Sequence, residues 1–201
     1  MIDEFRATFG ILSSLAILAG AFPYIYDIHK LKAHPQILSW VGWGFLTGLG
    51  ASAMVAEGST WPALILFANT AASWIIALYA IARRVGVWRT NSWDFLFFGI
   101  GVLGLILWQV LDMPVIALVC AIIADLCFGL PTVFKTYKDP ASETSFVWWA
   151  ASVSGVLCLF SLKVFTFSEV AYPIYLLLFD LTVLLLVLKV IKSSKNGDNL
   201  H

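Results

Sequence analysis

The sequence predicts an all-α integral membrane protein: seven transmembrane helices in two parallel three-helix bundles, joined by a linker helix. Three observations lead there. Hydrophobic residues make up 61% of the 201 residues and charged residues 12%, whereas soluble domains run near half apolar and about a quarter charged. Polar breaks cut the chain into runs close to the ~20 residues that cross roughly 30 Å of hydrocarbon as a helix. Finally, the segment Pro23-Tyr-Ile-Tyr-Asp-Ile-His-Lys30 returns 108 residues later as Pro131-Thr-Val-Phe-Lys-Thr-Tyr-Lys138, each time at the end of an apolar run. Self-similarity at a fixed spacing in a hydrophobic chain marks internal duplication, and duplicated membrane folds are mostly transporters with a site at the repeat interface.

In chain order the spans are expected at about 9–28, 37–56, 61–82, 93–111, 114–134, 146–165 and 170–191. The first is read as a membrane helix and not an export signal, because Asp3 and Glu4 oppose a single Arg6 ahead of it. Helix-start chemistry marks several others: Ser59 and Thr60 precede Trp61-Pro62, Ser92 precedes Trp93-Asp94, and Asp112 stands before Pro114. Asp94 suits a helix N-terminus, where the backbone dipole favours negative charge.

Basic residues set the orientation. With the N-terminus outside, the cytoplasmic segments hold Lys30, Lys32, Arg83, Arg84, Arg89, Lys135, Lys138, Lys189, Lys192 and Lys195, and the outer ones hold Arg6 and Lys163. That distribution needs an odd number of spans. The expected location is a multi-pass position in the plasma (inner) membrane of a prokaryote, with the C-terminus cytoplasmic.

The duplication matches the first helix to the fifth, the second to the sixth and the third to the seventh. Residues 1–84 then form the first repeat, 85–112 the linker helix, 113–192 the second repeat and 193–201 a flexible cytoplasmic tail. An odd helix between the two units gives both the same orientation. In the third pair Trp61-Pro62 aligns with Tyr172-Pro173 at a spacing of 111, which sets Asn69 opposite Asp180.

The candidate site residues follow from that alignment. Asp180 lies within an unbroken leucine-rich run, where an ionised carboxylate costs at least a few kcal/mol unless it meets a partner or water. Asn69 is followed by Ala72 and Ser73 on the same helical face, a narrow and partly polar surface suited to a cavity wall. Asn69, Ser73 and Asp180 are therefore the expected substrate-binding residues. Asp125 has Ala121 and Gly129 four residues either side; it either opens on a cavity, pairs with Ser13 or Ser14, or caps a distortion near Pro131. Asp180 and Asp125 are the candidates for proton coupling. Pro23 and Pro131 each remove a helical hydrogen bond at matched positions and are the expected hinges. Trp40 and Trp148 also match at 108 residues, and their helix-end positions suggest anchoring at the headgroups, as for Trp61, Trp88, Trp93 and Trp149. The His29, Lys30, Lys32, His34 cluster reads as a positive-inside loop.

Other classes find less support. Cys120, Cys127 and Cys158 lie inside apolar runs without pair spacing or clustered histidine, so no metal site, cofactor or disulfide framework is expected. Net charge is zero and no long basic tract occurs, so nucleic acid is not an expected partner. No nucleophile and base share a helix face, so no enzyme is expected. The partners are the lipid bilayer, a small polar solute and, in one reading, further copies of the chain.

The segment Leu130-Pro131-Thr132 through Lys138, followed by Ser142-Glu143-Thr144-Ser145, resembles the signature of the SWEET and PQ-loop transporter superfamily. The first copy matches more loosely, with Pro23-Tyr24 and then Gln36-x-x-Ser39. Asn69 followed by Tyr79 is similar to the third helix of sugar-carrying members. The resemblance implies a three-one-three helix fold, alternating access and a central pocket that includes Asn69. Asp180 departs from the asparagine usual in sugar carriers, which implies proton coupling or a cationic substrate, as in the amino-acid-carrying branch. Prolines usual in the second and sixth helices are missing, and Gly42, Gly44, Gly48 and Gly50 are expected to supply flexibility there. The expected function is transport of a small polar solute, sugar or amino-acid-like. The alternative is a ligand-binding receptor on the same scaffold, as in the KDEL receptors, which calls for basic residues around the cavity.

Overall fold

A computed structural model describes residues 2–56, 61–87, 92–110 and 114–197. Its helices are α1 (Ile2–His29), α2 (Ile37–Ala56), α3 (Trp61–Arg83), α4 (Ser92–Val110), α5 (Pro114–Lys138), α6 (Ser145–Ser161) and α7 (Phe167–Gly197), with a short 3-10 turn at Pro140–Ser142. Among the described residues there is no strand, and a single parallel bridge joins Gln36 to Val87. Among the described residues, four stretches are long and apolar enough to cross a membrane: Glu4–His29, Ala63–Arg83, Leu118–Lys138 and Val170–Lys189. The expected start residues Ser59, Thr60 and Asp112 lie outside the described residues, as do Trp88 and Arg89.

Helix ends differ from expectation where local chemistry intervenes. Pro131 lies inside α5 and does not end it; the helix continues to Lys138, and Lys135 and Lys138 in its last turn complement the negative end of the dipole. α6 stops at Ser161, short of the expected 165, because Leu162 turns to extended backbone at φ −64° and ψ 143°. α1 and α3 close in the same way. Leu31 and Arg84 take left-handed φ values of 58° and 54°, so that Lys32 N–H reaches Asp27 O at 2.8 Å and Val85 N–H reaches Ala80 O at 3.1 Å, the pattern of a helix terminated by one left-handed residue.

Six helices close a ring: α1 packs on α3, α3 on α2, α2 on α5, α5 on α7, α7 on α6, and α6 back on α1. α4 lies outside it, against α5 and α2. Two crossings are especially close. A Cβ on Gly20 of α1 would sit 2.9 Å from the Ala150 Cβ of α6, and one on Gly42 of α2 would overlap the Phe128 ring of α5. α2 is unbroken, and Gly42, Gly44 and Gly48 make room for Phe128, Trp74 and Thr70 respectively.

The ring buries Tyr24, Ile28, Ile37, Ile76, Phe128 and Val183. Its outside is apolar too, with Phe22 74% and Leu185 65% exposed. So much contiguous exposed apolar surface is atypical of a monomer in water.

Candidate functional site

Inside the ring lies a cavity of about 130 Å³, lined from α1, α2, α3, α5, α6 and α7. Asn69 and Ser73 reach it from α3, Asp125 from α5 and Asp180 from α7. The four polar residues singled out in the sequence therefore meet at one place. Pro23 and Pro131 do not line it; they sit inside α1 and α5.

On the α3 side Asn69 and Thr70 each donate to their own helix, and the Ser73 hydroxyl lines the cavity beside them. Asn69 Nδ2 donates to the Ile65 carbonyl at 3.2 Å, one turn back on its own helix, which leaves its second N–H and its carbonyl oxygen for the cavity. Thr70 donates to Leu66 O at 2.8 Å and pairs with the Thr47 hydroxyl at 2.9 Å. Thr47, which also lines the cavity, donates to Trp43 O at 2.7 Å.

On the opposite side are two carboxylates. The Tyr172 hydroxyl donates to Asp125 Oδ2 at 2.5 Å, the length of a charge-assisted O–H···O bond, and Trp43 lines the same cavity. Ser13 and Ser14 are engaged elsewhere: the Ser13 hydroxyl lies 2.7 Å from that of Ser154, and Ser14 donates to Gly10 O at 2.9 Å. Of the alternatives for Asp125, opening on a cavity is therefore the one observed. Asp180 lines the same cavity as Asp125. Among the described residues no side chain donates a hydrogen bond to Asp180, and no lysine, arginine or histidine lines the cavity.

The remaining wall is aromatic. Trp43 meets Trp148 at 6.1 Å and 72°, and Phe179 at 5.7 Å and 79°. Trp40 meets Trp43 edge to face at 5.3 Å. Trp40 and Trp148 are 6% and 3% exposed and line the cavity, so the headgroup-anchor reading is corrected for both. Their helices turn this face inward, and the indoles pack on each other across the ring. Trp149, one residue on, is 55% exposed.

At the end of the ring carrying the Lys135 loop, a polar layer crosses between α1 and the α5–α6 connection. Glu143 is the centre of it, its side chain fully buried. It pairs with Lys135 and accepts from the Tyr24 hydroxyl at 2.8 Å and the Trp148 indole at 3.1 Å. Lys135 also donates to His34 O at 2.6 Å, and Thr144 to Asp27 Oδ2 at 2.7 Å. His34 is thus docked structure as well as part of a basic loop, and His29 lies 2.9 Å from the Tyr79 hydroxyl. At the other end, Arg6 donates to Lys163 O at 3.2 Å and Phe9 stacks on Phe160 at 5.4 Å.

The sequence reading missed Trp43, Tyr172 as the partner of Asp125, and Glu143 as a buried ion. A carboxylate eight residues after a lysine, at the end of an apolar run, was the available signal for Glu143. Tyr172 had one too, as the match of Trp61 in the repeat.

Fold and site together define a bundle of apolar helices ringed around an acidic, aromatic-walled cavity. Comparison with protein-family models, curated proteins and solved structures finds no match to the chain.

Proposed function

We propose that the protein is a multi-pass membrane transporter that moves a small polar solute by alternating access, with the central cavity as its binding site. The observation that carries this reading is the convergence of Asn69, Ser73, Asp125 and Asp180, from three helices, on one cavity inside an otherwise apolar ring. Ionisable residues at membrane depth are costly and mark solute or proton pathways. Asp180 and Asp125 are the residues proposed for coupling to protons.

Two features support the finer reading of seven spans in a three-one-three arrangement. Exchanging α1 with α5, α2 with α6 and α3 with α7 maps the ring of helix contacts onto itself. The two tight crossings are related in the same way: Gly20 on Ala150 and Phe128 on Gly42 are one contact displaced by 108 residues. Parallel repeats of this kind place solute sites at the repeat interface, near the midplane. In this account Pro23 and Pro131 are the hinges, the polar layer around Glu143 closes the cytoplasmic end, and the architecture is that of the SWEET and PQ-loop group.

The test is uptake into proteoliposomes from a panel of sugars, amino acids and amines, with and without a pH gradient. At least one solute is expected to accumulate or exchange saturably, and Asp180→Asn to reduce it. If nothing moves under either condition, or the variant matches the parent protein, the proposal fails.

A further inference from the structure

We infer that the solute held by this cavity is a small organic ammonium ion that carries no carboxylate of its own. The inference rests on reading the cavity as the solute site, and it follows from what the walls offer and what they lack.

The acidic side chains on the wall are two carboxyl groups, with no basic side chain beside them. Asp180 has no hydrogen-bond donor from the described residues, and Asp125 takes the Tyr172 hydroxyl on Oδ2. One Asn69 amide N–H goes to Ile65, which leaves the other N–H and the carbonyl oxygen; the Ser73 hydroxyl and the buried, unpartnered Trp40 indole N–H are further neutral donors on the wall. Thr47 spends its donor within its own surroundings. A sugar would find neutral donors and acceptors here but brings no positive charge to set against the two carboxyl groups. An amino acid would bring a carboxylate into a cavity holding two acidic groups and no base, and like charges in a desolvated site repel strongly. A cation is complementary to this arrangement.

Aromatic rings decide which kind of cation. Trp43, Trp148 and Phe179 meet at steep angles around the cavity, so an ion inside lies within reach of more than one ring. Aromatic walls attract alkylammonium groups through the ring quadrupole while burying their carbon. A hard metal ion instead seeks about six oxygen ligands, and among the described residues no group of three or more candidate ligands forms. Size narrows the class further. A cavity of about 150 Å³ holds benzene, so 130 Å³ suits roughly six to eight non-hydrogen atoms.

Choline is a probe of that size and charge. Equilibrium binding of labelled choline is measured on the full-length protein in detergent. Its neutral isostere 3,3-dimethylbutan-1-ol, glycine betaine, glucose and sodium chloride serve as competitors. Saturable choline binding is expected, with the neutral isostere and betaine each at least about tenfold weaker and sodium without effect at equal concentration. Asp180→Asn, nearly isosteric, is expected to weaken choline at least about tenfold, and Trp148→Leu to weaken choline more than it weakens the neutral isostere. The competition series on the unaltered chain decides the matter even if a variant does not fold. Equal affinity for the neutral isostere, stronger binding of betaine or glucose, or no binding of choline overturns the inference. Uptake separates this from the transporter reading. A sugar that enters proteoliposomes without competition from choline leaves transport standing and removes the ammonium assignment. Choline that binds saturably but never enters does the reverse.

Discussion

Asn69 on α3 and Asp180 on α7 face the same cavity from opposite arcs of the ring, and the helices around each carry different chemistry. At the 108-residue spacing Ile17 corresponds to Asp125, Trp43 to Ala151, Thr47 to Gly155, Asp27 to Lys135 and Pro35 to Glu143. Retained between the two are the proline-to-lysine frame, Pro23 and Lys30 against Pro131 and Lys138, and the indole pair Trp40 and Trp148. The first three helices thus contribute neutral polar groups and rings, and the last three contribute both cavity carboxylates and the buried ion pair. A duplicated frame tolerates this division because the contacts that set helix positions, Gly20 on Ala150 and Phe128 on Gly42, lie apart from the polar residues that differ.

The largest expected effect lies in the polar layer. Removing one partner of a buried ion pair strands the other, at a cost of about 3–5 kcal/mol, so Glu143→Gln should lower stability by that order in unfolding titrations in detergent. Asp27, partly exposed and bonded to Thr144, should lose about 1 kcal/mol on Asp27→Asn. Equal losses would erase the distinction between the two arcs.

The cavity comes next. Asp180→Asn removes a charged acceptor, worth about 1.5–3 kcal/mol, or roughly 10- to 150-fold in solute affinity. Asn69→Ala removes a neutral one and should cost about fivefold. The order of the two in a binding titration sharpens the comparison, and a reversed order breaks it.

Packing at the crossings is a smaller term. Gly42→Ala overfills the contact with Phe128 and should cost about 1–3 kcal/mol, recovered in part by Phe128→Leu. Gly20→Ala should be recovered by Ala150→Gly instead. Rescue by the wrong partner would show that the two crossings are not equivalent. The smallest effect is a gain: Leu31→Gly and Arg84→Gly relieve left-handed backbone at the ends of α1 and α3 and should each stabilise by up to about 1 kcal/mol.

How far the sequence could be read depended on the range of the interaction. Apolar run length located the helices, because burial of the backbone in an apolar medium demands whole helices; it missed the polar ends, where α1 begins at Ile2 against an expected 9 and α7 runs to Gly197 against an expected 191. Asp180, Asp125 and Asn69 stood out because each is a polar residue in an apolar run. The indoles did not, since tryptophan at a helix end is equally at home against headgroups or in a core, and only packing between helices separates Trp148 from Trp149. The Tyr172–Asp125 bond joins residues 47 apart, and the Tyr24–Glu143 bond residues 119 apart. Neither pairing leaves a local pattern in the chain. α5 runs four residues past its expected end at 134, to Lys138, because a helix held by neighbours can absorb the hydrogen bond lost at Pro131.

Alternating access is the central claim, and thiol accessibility tests it most directly. In a chain with Cys120, Cys127 and Cys158 replaced by alanine, Ser73→Cys places a single thiol on the cavity wall, and a membrane-impermeant thiol reagent is applied to oriented vesicles from either side. The account predicts labelling from both faces, slower from the cytoplasmic face, faster there when Tyr24→Phe weakens the Glu143 layer, and blocked by bound solute. Labelling confined to one face, with and without Tyr24→Phe, would make the cavity a dead-end pocket and contradict it.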